Sequence, residues 1–150
     1  MGCLNGARAS VLVNGVPTAE FEMGRGLRQG DPMSPFLFIL AMEGFHAVLL
    51  KAVQVKLFQP AIVGNEGLPV SHLLYADDVV FLGEWSCQNA SNLVGLLRCF
   101  YVTSGLKINV RKSNIFGVGM ESNEVAQLAT VLVCGVASLP FNYLGLSVGV

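Results

Sequence analysis

The sequence predicts an α+β fold on three observations: strand-like runs flank tight-turn signals, two helical patterns of different character separate them, and strands and helices mix without regular βαβ alternation. Residues 9–14 and 18–23 flank Asn14-Gly15-Val16-Pro17. Asn-Gly between apolar runs signals a hairpin, because glycine accepts positive φ. Gly24-Arg25-Gly26-Leu27-Arg28-Gln29-Gly30-Asp31-Pro32 is a loop by its glycines and proline. Ser34 is the expected N-cap of the next helix, with Pro35 at the first helical position, where a missing N–H costs nothing. That helix covers 35–54, and its unbroken start, Phe36-Leu37-Phe38-Ile39-Leu40-Ala41-Met42, predicts burial all round.

A Pro- and Gly-rich loop is expected over 59–69, then an apolar run from Val70 to Tyr75, the acidic pair Asp77-Asp78, and Val79-Val80-Phe81-Leu82. This reads as a β-hairpin with carboxylates at its tip and arms buried on both faces. Leu93, Leu96, Leu97 and Phe100 fall at helical spacing within 90–104, and Gly105 is placed to end that helix. Short strands are expected at 107–110 and 114–118, around Arg111-Lys112-Ser113; a helix over 122–133 and a final strand over 141–148 complete the chain. No linker or repeat divides it, so residues 1–150 read as a single partial domain.

Composition narrows the function classes. Apolar residues make up 53% of the 150 positions and charged residues 13%, against about 25% charged in an ordinary soluble domain. That excludes disorder and implies apolar surface meant to pack on another body. The net charge of −1 gives no global basic field, so nucleic-acid binding requires a local patch. Cys3, Cys87, Cys99 and Cys134 show no CxxC spacing, and His46 and His72 complete no zinc pattern, so reduced thiols are expected. The N-terminus is no signal peptide, and Gly6 breaks the myristoylation pattern. Residues 125–150 carry no charge, but Gln127, Thr130, Ser138, Pro140 and Asn142 interrupt the run, so a buried helix and strand are expected there and not a membrane span.

Asp77-Asp78 is the candidate chemical site. An adjacent aspartate pair alone reads as a turn, but apolar strands on both sides would hold these carboxylates on rigid elements. Carboxylate oxygens at fixed positions are what hard Mg²⁺ ions take in phosphoryl transfer. Arg98, Lys107, Arg111 and Lys112 lie in a stretch free of acids between Glu84 and Glu121, and with Arg25 and Arg28 they would form a local phosphate-binding stripe.

Four ordered blocks carry a family resemblance: Gly26-Leu27-Arg28-Gln29-Gly30-Asp31-Pro32-Met33-Ser34-Pro35, then Tyr75-Ala76-Asp77-Asp78, then Ser104-Gly105-Leu106-Lys107-Ile108-Asn109 with Lys112-Ser113, then Leu139-Pro140-Phe141-Asn142-Tyr143-Leu144-Gly145. Together they resemble the reverse transcriptase of plant-type non-LTR retrotransposons. The resemblance implies a partial right-hand polymerase palm with part of the fingers, and an activity of RNA-directed DNA synthesis using Mg²⁺, an RNA template, a DNA primer and deoxynucleotides. It implies that Asp77 is a metal ligand with Asp78 as its auxiliary. Tyr75 would stand beside the primer end, Gln29 and Gly30 at the incoming nucleotide, and Lys112 near the triphosphate. Ser147 departs from the family's usual proline. The family's first metal-binding aspartate is expected upstream of the Asn14-Gly15 hairpin, before this chain begins, so the chain alone is expected to be inactive unless Glu20 or Glu22 substitutes. A non-catalytic or vestigial nucleic-acid-binding polypeptide is the alternative.

Overall fold

The computed structural model describes residues 8–22 and 30–149, and within them mixed helix and strand. The first segment is a hairpin in two steps. Strand β1 (Arg8–Ala9) pairs antiparallel with β4 (Phe21–Glu22), and β2 (Leu12–Val13) pairs with β3 (Val16–Pro17) across Asn14-Gly15. Asn14 and Gly15 take φ of 52° and 81°, the positive values that a two-residue hairpin turn requires. The pairing is shorter than the two expected strands, and only Ala9 in this segment is even partly buried.

Helix α1 (Ser34–Gln54) begins one residue before its expected start. Met33 holds the cap position and Ser34 is the first helical residue, so Ser34 is not the N-cap. Asp31 shapes the entry instead: its carboxylate accepts the Met33 N–H at 2.9 Å and its carbonyl accepts the Ser34 N–H at 3.1 Å. A second expectation fails in the same helix. The apolar first half is not buried among the described residues, with Phe36, Ile39 and Leu40 67%, 57% and 69% exposed. The core forms on the other half, through Phe45, Leu49 and Ala52. With 21 residues and a mean hydropathy of 1.8, α1 is long and apolar enough to cross a membrane. Those criteria also fit a core helix, but only 17% of the apolar window is buried, and α1 meets the core through one face of its second half. The uncharged run 125–150, by contrast, is broken into an 11-residue helix and short strands.

The 59–69 stretch is not a plain loop. Strands β5 (Ala61–Val63) and β6 (Leu68–Val70) pair antiparallel across residues 64–67, because Gly64 and Gly67, both at positive φ, turn the chain back on itself. Strands β7 (His72–Tyr75) and β8 (Asp78–Phe81) follow, in the register His72↔Phe81, Leu73↔Val80, Leu74↔Val79 and Tyr75↔Asp78. Leu74, Val79 and Phe81 pack on the core, whereas Leu73 is 50% exposed. The arms are therefore buried on one face, since side chains alternate across an antiparallel pair and the core lies on one side only.

Helix α2 (Cys87–Ser104) is capped by Ser86, whose Oγ accepts the Asn89 N–H, and ends at Gly105 with φ 75°. Its Leu93, Leu96 and Phe100 meet Phe45, Leu49, Ala52 and Phe58 in the main core. Phe45 stands at the centre, fully buried, 4.4 Å from the Phe100 ring centroid and 6.1 Å from that of Phe81, the latter edge-on. Buried Asn89 pins α2 to the chain beneath it. Its Oδ1 accepts the Gln59 N–H at 2.8 Å, and its Nδ2 donates to the Gln59 and Glu84 carbonyls at 2.9 and 3.0 Å.

The expected strand over 107–110 is absent; Val110–Lys112 forms a 3-10 turn. The final strand is also different, being a hairpin of β11 (Phe141–Tyr143) and β12 (Leu146–Val148) around Leu144-Gly145. Between these, the expected strand and helix are present as β9 (Asn114–Phe116) and α3 (Ser122–Leu132), and a strand not expected from the sequence, β10 (Gly135–Ala137), pairs parallel with β9. Parallel strands need a crossover of this kind, so one βαβ unit exists despite the irregular overall order. Glu121 and Glu124 form a capping box at the start of α3.

Candidate functional site

The β7–β8 register places the Asp77-Asp78 pair. His72, Leu74, Val79 and Phe81 share the core-facing side, so Leu73, Tyr75, Val80 and Asp78 share the other. Tyr75 and Asp78 are the last rung of the ladder, and Ala76-Asp77 form the connection beyond it. Ala76 takes φ 50°, a left-handed value that costs an L-residue energy. Tyr75 is 59% exposed and both aspartates are exposed. Neither carboxylate is engaged in a hydrogen bond or ion pair among the described residues, so both oxygen pairs face solvent.

This arrangement fits part of a hard-cation site. Mg²⁺ takes one or two carboxylates and completes its shell with water or substrate phosphate. Asp77 and Asp78 supply that much. Among the described residues, no group of three His, Cys, Asp or Glu is placed to enclose a metal ion. Glu20 and Glu22 are held elsewhere, each 3.7 Å from the Arg8 guanidinium on the first hairpin.

The remaining expected site residues lie on other elements or outside the described residues. Gln29, Arg28 and Arg25 lie outside the described residues. Gly30 takes φ 81°, and among the described residues no atom beyond its chain neighbours lies within 4 Å of where a Cβ would stand, so on that side its backbone is open to close approach. Lys112 is exposed on the 3-10 turn beside Arg111, on a different element from the aspartates. Arg98 is exposed on α2, and Lys107 Nζ stands 5.9 Å from the Tyr101 ring centroid.

One polar cluster was not singled out by the sequence reading. His46 Nδ1 on α1 lies 2.7 Å from His72 Nε2 on β7, and His72 Nδ1 lies 2.7 Å from Ser71 Oγ. The pair opens onto a groove of about 330 Å³ lined by Glu43, His46, His72, Leu73 and Leu74. Burial lowers the His72 pKa from its ordinary value, and the charge of His46 lowers it further. The sequence signal was slight: two histidines, 26 positions apart, in otherwise apolar surroundings.

The chain matches the family model described as reverse transcriptase (RNA-dependent DNA polymerase) over residues 3–148. It is 32% identical over 127 residues to a retrovirus-related Pol polyprotein of a type-2 retrotransposable element of Drosophila melanogaster, covering 85% of this chain and 11% of that protein. It is 30% identical over 113 residues to the corresponding polyprotein of a type-1 element of Popillia japonica, covering 75% of this chain and 15% of that protein. An uncharacterized mitochondrial protein of Arabidopsis thaliana is 40% identical over 67 residues, covering 45% of this chain and 55% of its own length. The chain thus spans only a part of each of these relatives, while the family match runs along nearly its whole length. By that match, this chain belongs to the reverse transcriptase family.

Proposed function

We propose that the chain carries the aspartate hairpin of a retrotransposon polymerase palm, one side of a site that copies RNA into DNA. The observation that carries this reading is the pair of unengaged, exposed carboxylates of Asp77 and Asp78 on a hairpin whose opposite face is locked into the core. In this reading β7–β8 with α1 and α2 is the palm floor, and the segment before α1 belongs to the fingers. Asp77 is the principal Mg²⁺ ligand and Asp78 the auxiliary one. Bound there, Mg²⁺ would favour the alkoxide form of the primer 3′-hydroxyl and offset charge on the departing pyrophosphate.

The protein's own residues would do the positioning on which phosphoryl transfer mainly depends. Tyr75, on the same outward side as Asp78, offers a ring against the terminal primer base. Gly30 lets the backbone approach the incoming deoxynucleotide, with Gln29 beside it. Arg28, Arg98, Lys107, Arg111 and Lys112 supply phosphate contacts to template and primer, Lys112 nearest the triphosphate. Two carboxylates on one hairpin do not bridge two ions, because near-ideal octahedral geometry requires ligands from a facing strand. The aspartate hairpin alone is therefore a partial site.

The test is a chimera in which residues 8–148 replace the matching segment of the Drosophila polyprotein, assayed by primer extension on an RNA template. Extension that is lost in the Asp77→Asn chimera, with unchanged RNA–DNA binding, is the expected result. Equal extension with Asp77→Asn refutes the assignment. The separate chain is expected to give no extension with Mg²⁺ or Mn²⁺.

A further inference from the structure

We propose that His46 and His72 form a proton-sharing latch that fixes the β7–β8 hairpin, and with it Tyr75, Asp77 and Asp78, against α1, and that uptake of a second proton opens it. The contact joins two elements that otherwise meet through apolar side chains, and it lies at the end of the hairpin away from the aspartates. At 2.7 Å, the nitrogen separation is that of a hydrogen bond. Two imidazoles on one tetrahedral metal at the usual bond length would stand about 3.3 Å apart, and no third ligand joins them among the described residues.

A neutral imidazole offers one donor and one acceptor, so the neutral pair satisfies this geometry completely. His46 Nδ1–H donates to His72 Nε2 while His72 Nδ1–H donates to Ser71 Oγ, or each of these bonds runs in the reverse sense. A single added proton keeps one hydrogen between the rings. With a second, both facing nitrogens carry a hydrogen, the bond becomes a repulsive N–H···H–N contact, and two positive charges adjoin. Among the described residues the groove offers one compensating charge, that of Glu43, three residues before His46 on α1. The groove's other residues are Leu73 and Leu74; Phe81 stands opposite His72; and the α2 residues in the adjoining core, Leu93, Leu96 and Phe100, carry no charge.

The direction of the pH dependence follows. His72 resists protonation in the folded chain relative to an ordinary imidazole of pKa 6.5. The latch is complete above that pH and weakens as pH falls from there through the lower folded value. The pair acts on the aspartates by positioning their hairpin; it touches neither of them.

Hydrogen exchange on the whole chain separates this device from plain packing. Amide protection of Leu73, Val80 and Leu82, whose N–H groups bond across the β7–β8 ladder in this register, is expected to fall roughly three- to tenfold between about pH 7.5 and 5.5 after normalisation for intrinsic rates, the range set by losing one net hydrogen bond. Leu93, Leu96 and Phe100 should hold theirs. In His46→Asn, whose amide keeps a bond near the Nδ1 position without titrating, the hairpin's protection should be flat with pH. An equal fall in His46→Asn, or no fall in the unmodified chain, overturns the latch. Imidazole NMR titration of the unmodified chain decides the matter even if the variant does not fold. Coupled titration, with the second proton taken up well below the ordinary value, is expected; two independent titrations at ordinary imidazole values overturn it.

Discussion

Two hairpins in this molecule are built alike and fare differently. The first, β1–β4 with its inner pair β2–β3, and the later β7–β8 pair both turn through two residues, and both have a residue at positive φ in the turn, Asn14 and Gly15 in one and Ala76 in the other. Both carry large apolar side chains. In the first, Leu12, Val13, Val16 and Phe21 are 69%, 56%, 67% and 49% exposed. In the second, Leu74, Val79 and Phe81 lie against Phe45 and its neighbours. Turn chemistry and apolar residues suffice to close a hairpin, but only packing of one face sets where its tip points. The tip that is set in this way carries the aspartates.

Removing the packing should abolish the difference. Phe45→Ala takes away the ring shared by α1, α2 and β8 and should cost about 3–5 kcal/mol, read as a lowered denaturation midpoint. Exchange of the β7–β8 amides should then approach that of the first hairpin. Next in size is Asn89→Ala. It strips the Gln59 N–H and the Glu84 carbonyl of their side-chain partner, while the Gln59 carbonyl keeps the Glu84 N–H at 3.1 Å, and should cost about 1–2 kcal/mol by leaving part-buried polar groups unpaired. Asn89→Asp keeps the acceptor for the Gln59 N–H but loses both donations, and should recover only part of that stability.

Smaller changes sharpen the comparison. Ala76→Gly relieves the left-handed residue at the aspartate turn and should stabilise the chain by about 1 kcal/mol, with slower exchange at Tyr75 and Asp78. Arg8→Ala removes both ion pairs of the first hairpin, yet it should shift the midpoint by less than about 0.5 kcal/mol because those pairs are solvent-exposed. A larger effect from Arg8 than from Asn89 would reverse the account of which hairpin is anchored.

Local signals were legible in the sequence where chemistry is local. Asn14-Gly15, Gly105 and the spacing of Leu93, Leu96 and Phe100 specify their turn, helix end and buried face without reference to the rest of the chain. Ser34 misled by one residue because the Asp31 side chain, three positions earlier, shapes the helix entry. The continuous apolar start of α1 predicted burial, but an apolar run records which surfaces avoid water and not which of them this chain can cover. Strand β10 was hidden because its pairing with β9 is parallel and non-local, and short Gly-Val-Ala carries no alternation to read. The aspartates were legible as charges interrupting apolar strands. The His46–His72 contact was not, since it depends on how α1 crosses β7.

In the proposed function, Asp77 and Asp78 are a metal-ready pair on an anchored hairpin. The most direct test of that reading is paramagnetic broadening of backbone amide signals on titration of the 150-residue chain with Mn²⁺, a stand-in for Mg²⁺ that reports even weak binding. The account predicts broadening centred on Tyr75, Ala76, Asp77 and Asp78, competed by excess Mg²⁺ and lost in Asp77→Asn/Asp78→Asn. Broadening centred instead on Glu20 and Glu22, or unchanged by that double substitution, would contradict it.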